Sequence, residues 1–158
     1  MVREGDPAPG FELPDQDGVP VRLSSFRGRR AVVLFFYPKD FTTVCTREAC
    51  LFRDAITDFR AVDAEVLGAS TDSVRSHAAF AKKLGLPYRI LSDPKDEVRA
   101  LYGAGRDLFV LRGRVTFVID RDGIVRRRIE SHFSAAKHVD EAREAAAALA
   151  RPRASPER

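Results

Sequence analysis

Apolar residues fall along the chain in short runs whose spacing switches between continuous and helical. Ala31–Phe36 is apolar at every position and ends at Tyr37-Pro38. Such a run predicts a central strand covered on both faces, with the proline as its stop. Over residues 46–62, Ala49, Phe52, Ile56 and Phe59 recur at helical spacing, which predicts one amphipathic helix. Residues 65–69 read as a strand. Asp72 or Ser73 then caps a helix carrying Val74, Ala78, Ala81 and Leu84, and Gly85 ends it. A short strand is predicted over 88–91, and Asp93-Pro94 opens a helix that runs to Tyr102, with Gly103 as its stop. Two β-branched or apolar runs, 115–120 and 124–129, are joined by Arg121-Asp122-Gly123 as a hairpin, and a last helix spans 137–150. Upstream, Phe11-Glu12-Leu13 and residues 19–23 flank Asp17-Gly18, predicting a small amino-terminal hairpin.

Strands alternating with helices, then a hairpin and a final helix, predict an α/β fold with a mixed central sheet flanked by helices and an N-terminal β-hairpin extension. One domain, 1–150, accounts for the pattern, and the tail 151–158 has no apolar stripe and is expected to be disordered. Composition agrees: 158 residues, 44% hydrophobic, are enough for one core without staples. No apolar run reaches membrane-spanning length, and charges and a proline occupy the first seven positions, so the protein is expected to be soluble and cytoplasmic. The net charge is +4, but the basic residues are dispersed and the clusters at 27–30 and 126–128 are short. They read as a solvated surface, with neither nucleic acid nor membrane as partner.

Two cysteines in a chain of this length do not make a disulfide framework; they point to metal, redox or catalytic use. Cys45 has the more telling position. The run 31–36 feeds a short polar loop, and a helical pattern begins close to the thiol. The first amides of a helix lack intrahelical acceptors and carry partial positive charge, which favours thiolate. Cys45 is therefore the candidate nucleophile. A zinc module could be assembled from Cys45, Cys50, His132 and His138, but most of the domain separates the two pairs; His77, His132 and His138 read instead as surface residues. A thioredoxin-like dithiol reductase would carry Cys-x-x-Cys, which is absent.

The stretch Pro38-x-x-x-Thr42-x-x-Cys45 resembles the active-site signature of peroxiredoxins. Its continuation Thr46-Arg47-Glu48-Ala49-Cys50 resembles the bacterioferritin-comigratory (Q-type) subgroup, with Leu91-Ser92-Asp93-Pro94 and residues 114–120 as further landmarks. Thr43-Val44 stands where many Q-type members have Pro-Gly, so the loop must keep to ordinary backbone angles there. The resemblance implies a thioredoxin-like fold and a thiol-dependent peroxidase, without cofactor or metal, serving antioxidant defence and redox homeostasis. Hydrogen peroxide and organic hydroperoxides are the implied substrates.

On this footing Cys45 attacks the peroxide, Thr42 and Arg114 position it and stabilise developing charge, and Pro38 shields the thiolate. Glu48 orients an arginine or favours the first helical turn. Pro38 also reads as plain strand termination, Thr42 as a loop hydroxyl and Arg114 as a surface arginine. Attack leaves Cys45 as sulfenic acid, which condenses with a second thiol; Cys50 is the other thiol of the chain. Five residues apart on a helix, the two are separated by about 7.5 Å of rise and about 140° of rotation, beyond disulfide reach. The helix must therefore unwind for Cys50 to act as resolving thiol, and a buried, inert Cys50 with an external thiol is the one-cysteine alternative. In the resembled subgroup the reductant is typically thioredoxin, and the members are often monomeric, so a monomer or weak homodimer is expected.

Overall fold

The computed structural model describes residues 2–104, 114–131 and 134–150. The expected tail 151–158 and His132 lie outside the described residues. The elements in chain order are β1 Glu12–Pro14, β2 Pro20–Arg22, β3 Ala31–Phe36, α1 Thr43–Asp54, α2 Ile56–Ala61, β4 Ala64–Ser70, α3 Val74–Leu84, β5 Arg89–Ser92, α4 Glu97–Tyr102, β6 Val115–Ile119, β7 Val125–Glu130 and α5 Ala135–Ala150. Strands β1 and β2 form the small antiparallel pair that the Asp17-Gly18 turn predicts. The other five make one mixed sheet in the order β5-β4-β3-β6-β7, with β3–β4 and β4–β5 parallel and β3–β6 and β6–β7 antiparallel.

Strand β3 is central, and all six of its residues are buried. The pleat sends alternate side chains to opposite faces. Val33 and Phe35 join the core under α1, α2, α3 and α5, while Val32, Leu34 and Phe36 join a second core with Tyr102 and Phe117. Phe35 stacks on Phe52 of α1 with ring centroids 4.4 Å apart, fixing the helix over the sheet. Gly68 of β4 makes room for this ring, since a Cβ there would come within 2.7 Å of Phe35 Cζ.

Four expectations are corrected. The helix predicted over 46–62 begins at Thr43 and is two helices, α1 and α2, meeting at Ala55, whose φ of -93° and ψ of 2° leave the helical region. The stripe of apolar residues continues across that break, and periodicity alone does not see it. The helix expected from Asp93 begins at Glu97; the Asp93 carboxylate instead accepts from the amides of Glu97, Val98 and Arg99, capping it from outside. The stripe of α3 is His77, Phe80 and Ala81, with Leu84 packed partly buried beside them as expected, while Ala78 faces outward. Finally, His77 and His138 are fully buried, not surface residues. Each belongs to the apolar stripe of its helix, and hydrogen-bond partners at both ring nitrogens make that burial tolerable.

Candidate active site

Strand β3 delivers the chain through Tyr37 and a five-residue loop to the start of α1. The loop is held by one carboxylate. Asp40, 3% exposed, accepts from Tyr37 Oη at 2.6 Å and from Ser76 Oγ at 2.8 Å, and faces His77 Nδ1 at 2.7 Å. His77 Nε2–H donates to the Leu91 carbonyl at 2.9 Å, and the Asp40 amide donates to Asp72 Oδ2 at 2.8 Å. These bonds tie the loop to α3 and to Asp72, two residues beyond β4, and through His77 to β5. Phe41, next in the chain, takes φ 65°, a region that costs a residue bearing a Cβ about 1 kcal/mol. Its half-exposed ring rests edge-on against Phe80 at 5.1 Å. Asp40, Asp72 and His77 lie close enough to suggest a metal site. Both Asp40 oxygens, Asp72 Oδ2 and both His77 nitrogens are, however, already engaged, by one another, by the Asp40 amide, by Ser70 and Ser76, by Tyr37 and by the Leu91 carbonyl.

Thr42 is the N-cap residue of α1, yet its hydroxyl donates back to the Lys39 carbonyl at 2.9 Å and does not cap. The amides of Thr43, Val44 and Cys45 thus receive no side-chain acceptor from Thr42, and the first turn holds no acidic residue. Neither Thr42 nor an acidic residue of the first turn thus compensates the positive end of the helix beside the sulfur. Val44 sits inside the helix at ordinary angles, as a β-branched residue in place of glycine requires.

Cys45 is 2% exposed, and Arg114 Nη2 donates to its Sγ at 3.1 Å. Arg114 precedes β6, and Val115 of β6 pairs with Phe36 at the end of β3. Sheet register therefore brings the guanidinium to the mouth of the loop. The same group donates through Nη1 to Glu48 Oε1 at 3.0 Å, so of the two sequence readings of Glu48, orientation of an arginine matches the geometry. Arg114 is 5% exposed, against the surface reading, and so is Arg99 at 3%. Burial pushes the Glu48 carboxyl up to about 7, against the pull of Arg114.

Behind Glu48 lies His138 of α5. Its Nδ1 is 3.8 Å from Glu48 Oε2 and 2.7 Å from Thr116 Oγ1, and its Nε2–H donates to the Ser131 carbonyl at 2.8 Å. Burial lowers its pKa and keeps the ring neutral. Both ring nitrogens are taken, and a cation sits on the Cys45 sulfur, so neither residue is left to ligate zinc.

The structure thus joins Cys45 and Arg114 directly, with Thr42 at the helix entrance and a half-buried Pro38 at the start of the loop. It does not join Cys45 to Cys50. Both thiols are free, and Cys50 lies partly buried one turn and a half further along the continuous α1. Sequence reading missed Asp40, His77 and His138. The available signal was positional: both histidines fall on the buried stripe, at 77, 80, 81 and at 135, 138, 139, 142.

Comparison with known proteins gives a consistent result. The profile of the AhpC/TSA family matches residues 4–128. A chloroplastic peroxiredoxin Q of Sedum lineare is 48% identical over 141 residues, spanning 89% of this chain and 75% of that protein. Among solved structures, peroxidoxin BcpB from Mycobacterium tuberculosis superposes with a TM-score of 0.88 at 43% identity, covering 94% of this chain and 99% of that one. Xanthomonas campestris peroxiredoxin Q gives 0.82 at 29% identity, covering 89% and 91%.

Proposed function

The chain belongs to the AhpC/TSA family and is a thiol-dependent peroxidase, and we propose that Cys45 is the sulfur that attacks the peroxide and Cys50 the thiol that resolves it. The observation that supports this most is the 3.1 Å contact between Arg114 Nη2 and Cys45 Sγ at an uncapped helix N-terminus. A thiolate gains from both, because a guanidinium and oriented amides favour the charged form.

The thiolate attacks one peroxide oxygen, the O–O bond breaks, and the departing oxygen leaves as alkoxide or hydroxide and takes a proton. Arg114, the first amides of α1 and the Thr42 hydroxyl are the donors near that charge, and they need no reorganisation when it appears. Pro38 has no N–H and limits water at the loop. Cys45 is then sulfenic acid. The Cys50 thiolate attacks that sulfur, the S–O bond breaks, a disulfide forms, and the departing hydroxide takes a proton to leave as water. The first turns of α1 open for this step, since Cα atoms five residues apart on a helix are about 8.6 Å from each other, beyond the disulfide range. A dithiol reductant of the thioredoxin type then exchanges with the disulfide.

The substrates are hydrogen peroxide and organic hydroperoxides, and no metal or cofactor enters the cycle. The working unit is a monomer or weak homodimer, a reading supported by large exposed apolar residues as scattered as Val19, Phe41 and Leu101. Two free thiols suit a reducing setting such as the cytoplasm.

The test is peroxide-dependent NADPH oxidation with thioredoxin and its reductase. Cys45→Ser is expected to abolish turnover. Cys50→Ser is expected to consume one equivalent of peroxide and then stop. Full cycling of Cys50→Ser with thioredoxin would replace this scheme with a one-cysteine mechanism.

A further inference from the structure

One buried cation serves two buried acids. Arg114, 5% exposed, donates to Glu48 Oε1 and to Cys45 Sγ, and those residues are 0% and 2% exposed. With both acids ionised the cluster would hold a net negative charge out of water, which is strongly unfavourable. With one ionised it is neutral. Glu48 is built for either state. Its Oε1 takes the guanidinium, while Oε2 has no hydrogen-bond partner among the described residues and faces the lone pair of His138 Nδ1 at 3.8 Å. A carboxylate oxygen in that position lacks a donor. A carboxylic O–H there would have an acceptor, reached by a side-chain shift of about 1 Å. The Thr116 hydroxyl now takes Nδ1 at 2.7 Å, and its side chain has to rotate about χ1 for Glu48 to replace it.

Among the described residues, the other titratable groups around this pair do not supply the missing charge. Tyr88, before β5, faces Glu48 but stays neutral, since burial pushes its phenol well up. From α5, Glu141 and Lys137 act on His138 with opposite signs, and Arg114 and burial both oppose its protonation.

We propose that Glu48, backed by His138, holds the proton that Cys45 gives up, so that activation of the thiol moves a negative charge within the site and adds none. The step balances: Cys45–SH and Glu48–COO⁻ become Cys45–S⁻ and Glu48–COOH, with Arg114 now undivided on the sulfur. Thiolate attack on the peroxide gives Cys45–SOH and an alkoxide. The sulfur is then neutral, Arg114 returns to Glu48, and the proton that Glu48 releases is the one the alkoxide needs. Glu48 begins and ends as carboxylate. His138 acts through Glu48 and is a positioning residue.

This scheme rests on Cys45 as the attacking sulfur. It is tested in a Cys50→Ser background, which isolates the first step, by thiolate absorbance and peroxide rate as functions of pH. In Glu48→Gln the amide no longer competes for Arg114, so the thiolate fraction at a given pH is expected to rise. The rate per thiolate is expected to fall about tenfold or more, as proton delivery is lost. The inflection near pH 7 contributed by Glu48 disappears. His138→Gln should move that inflection down in pH by about half a unit or more. In the parent protein, alkylating Cys45 should diminish the infrared carboxylic-acid band assigned to Glu48, a readout needing no substitution at the buried pair.

A residue that merely holds Arg114 in place gives the opposite sign, with thiolate reduced in Glu48→Gln. That result, or an infrared band indifferent to alkylation, overturns the proton coupling in a protein that still consumes peroxide. A parent protein that consumes no peroxide, or a Cys45→Ser variant that still does, overturns the underlying assignment of Cys45 instead.

Discussion

Tyr88 offers a direct handle on the unwinding that a Cys45–Cys50 disulfide requires. Its hydroxyl donates to the Ala49 carbonyl at 2.8 Å, buried, from outside the helix. Ala49 lies between the two cysteines, and opening the first turns of α1 as far as Cys50 pulls this carbonyl away from the phenol. Tyr88→Phe keeps the ring that packs edge-on against Phe35 at 5.8 Å and deletes only the bond. The carbonyl is not orphaned, because the helix supplies an amide four residues on. The closed helix therefore loses the net value of one hydrogen bond, about 1 kcal/mol, while the open form loses nothing. At about 0.6 kcal/mol for RT, the population of open helix rises about fivefold. The rate of disulfide formation after a pulse of peroxide should rise by the same factor if opening precedes bonding, measured by quenching with a thiol-blocking reagent and weighing the protein. The preceding peroxide step should be unchanged. A resolution rate equal to or slower than that of the parent, in a variant whose denaturation midpoint has fallen as one hydrogen bond requires, would refute the reasoning.

Two further outcomes follow from buried charge. Asp40→Asn turns one arm of the loop clamp into a donor facing Tyr37, Ser76 and His77, and should cost about 3 kcal/mol or more of unfolding free energy, read by urea denaturation, with the first peroxide step slowed as the loop shifts. Glu48 titrates from 4.5 when exposed to about 7 in the fold. Its neutral form is thus the one the fold prefers; the associated stability is fully present below pH 4.5 and is lost as pH rises through about 7. Relative to the parent, Glu48→Gln should gain about 3 kcal/mol between pH 4.5 and 8, in the reduced protein, with no such gain if Glu48 is ionised throughout.

The sheet was largely legible because β3, β6 and the alternating helices each repeat one signal over five residues or more. Boundaries were less so. The break at Ala55 leaves the apolar stripe intact, and Asp93 caps a helix that starts four residues later, so neither changes the pattern of apolar positions. Within the site, Cys45, Thr42 and Pro38 share one local motif and could be read together. Arg114 is 69 residues from Cys45 and was reachable only by resemblance; the pairing of Val115 with Phe36 places it. The histidines failed for a different reason. Base rates put ionisable side chains outside, and that prior overrode their positions on buried stripes.

Those misread positions reveal how the site is held. The loop and the helix that carry the chemistry have little apolar anchorage of their own between Tyr37 and Cys45, and Phe41 is turned outward at a costly φ. What fixes them is polar and buried at both ends: Asp40 with His77 before the helix, Glu48 with Arg114 and His138 within it. Directional bonds of this kind define one geometry closely, and a substitution that leaves a buried partner charged and unpaired is costly. The two anchors also differ in what the reaction asks of them. The Asp40 clamp lies ahead of α1 and can stay closed while the helix opens, keeping the entrance of the loop in place. The Glu48 anchor lies between Cys45 and Cys50, and the proposed disulfide between them requires its release. Sulfenic acid formation removes the negative sulfur that Arg114 shared, so the guanidinium turns back to Glu48 and that pair is still to be broken when the helix opens. Opening of the helix after oxidation of Cys45 would therefore have to separate Arg114 from Glu48.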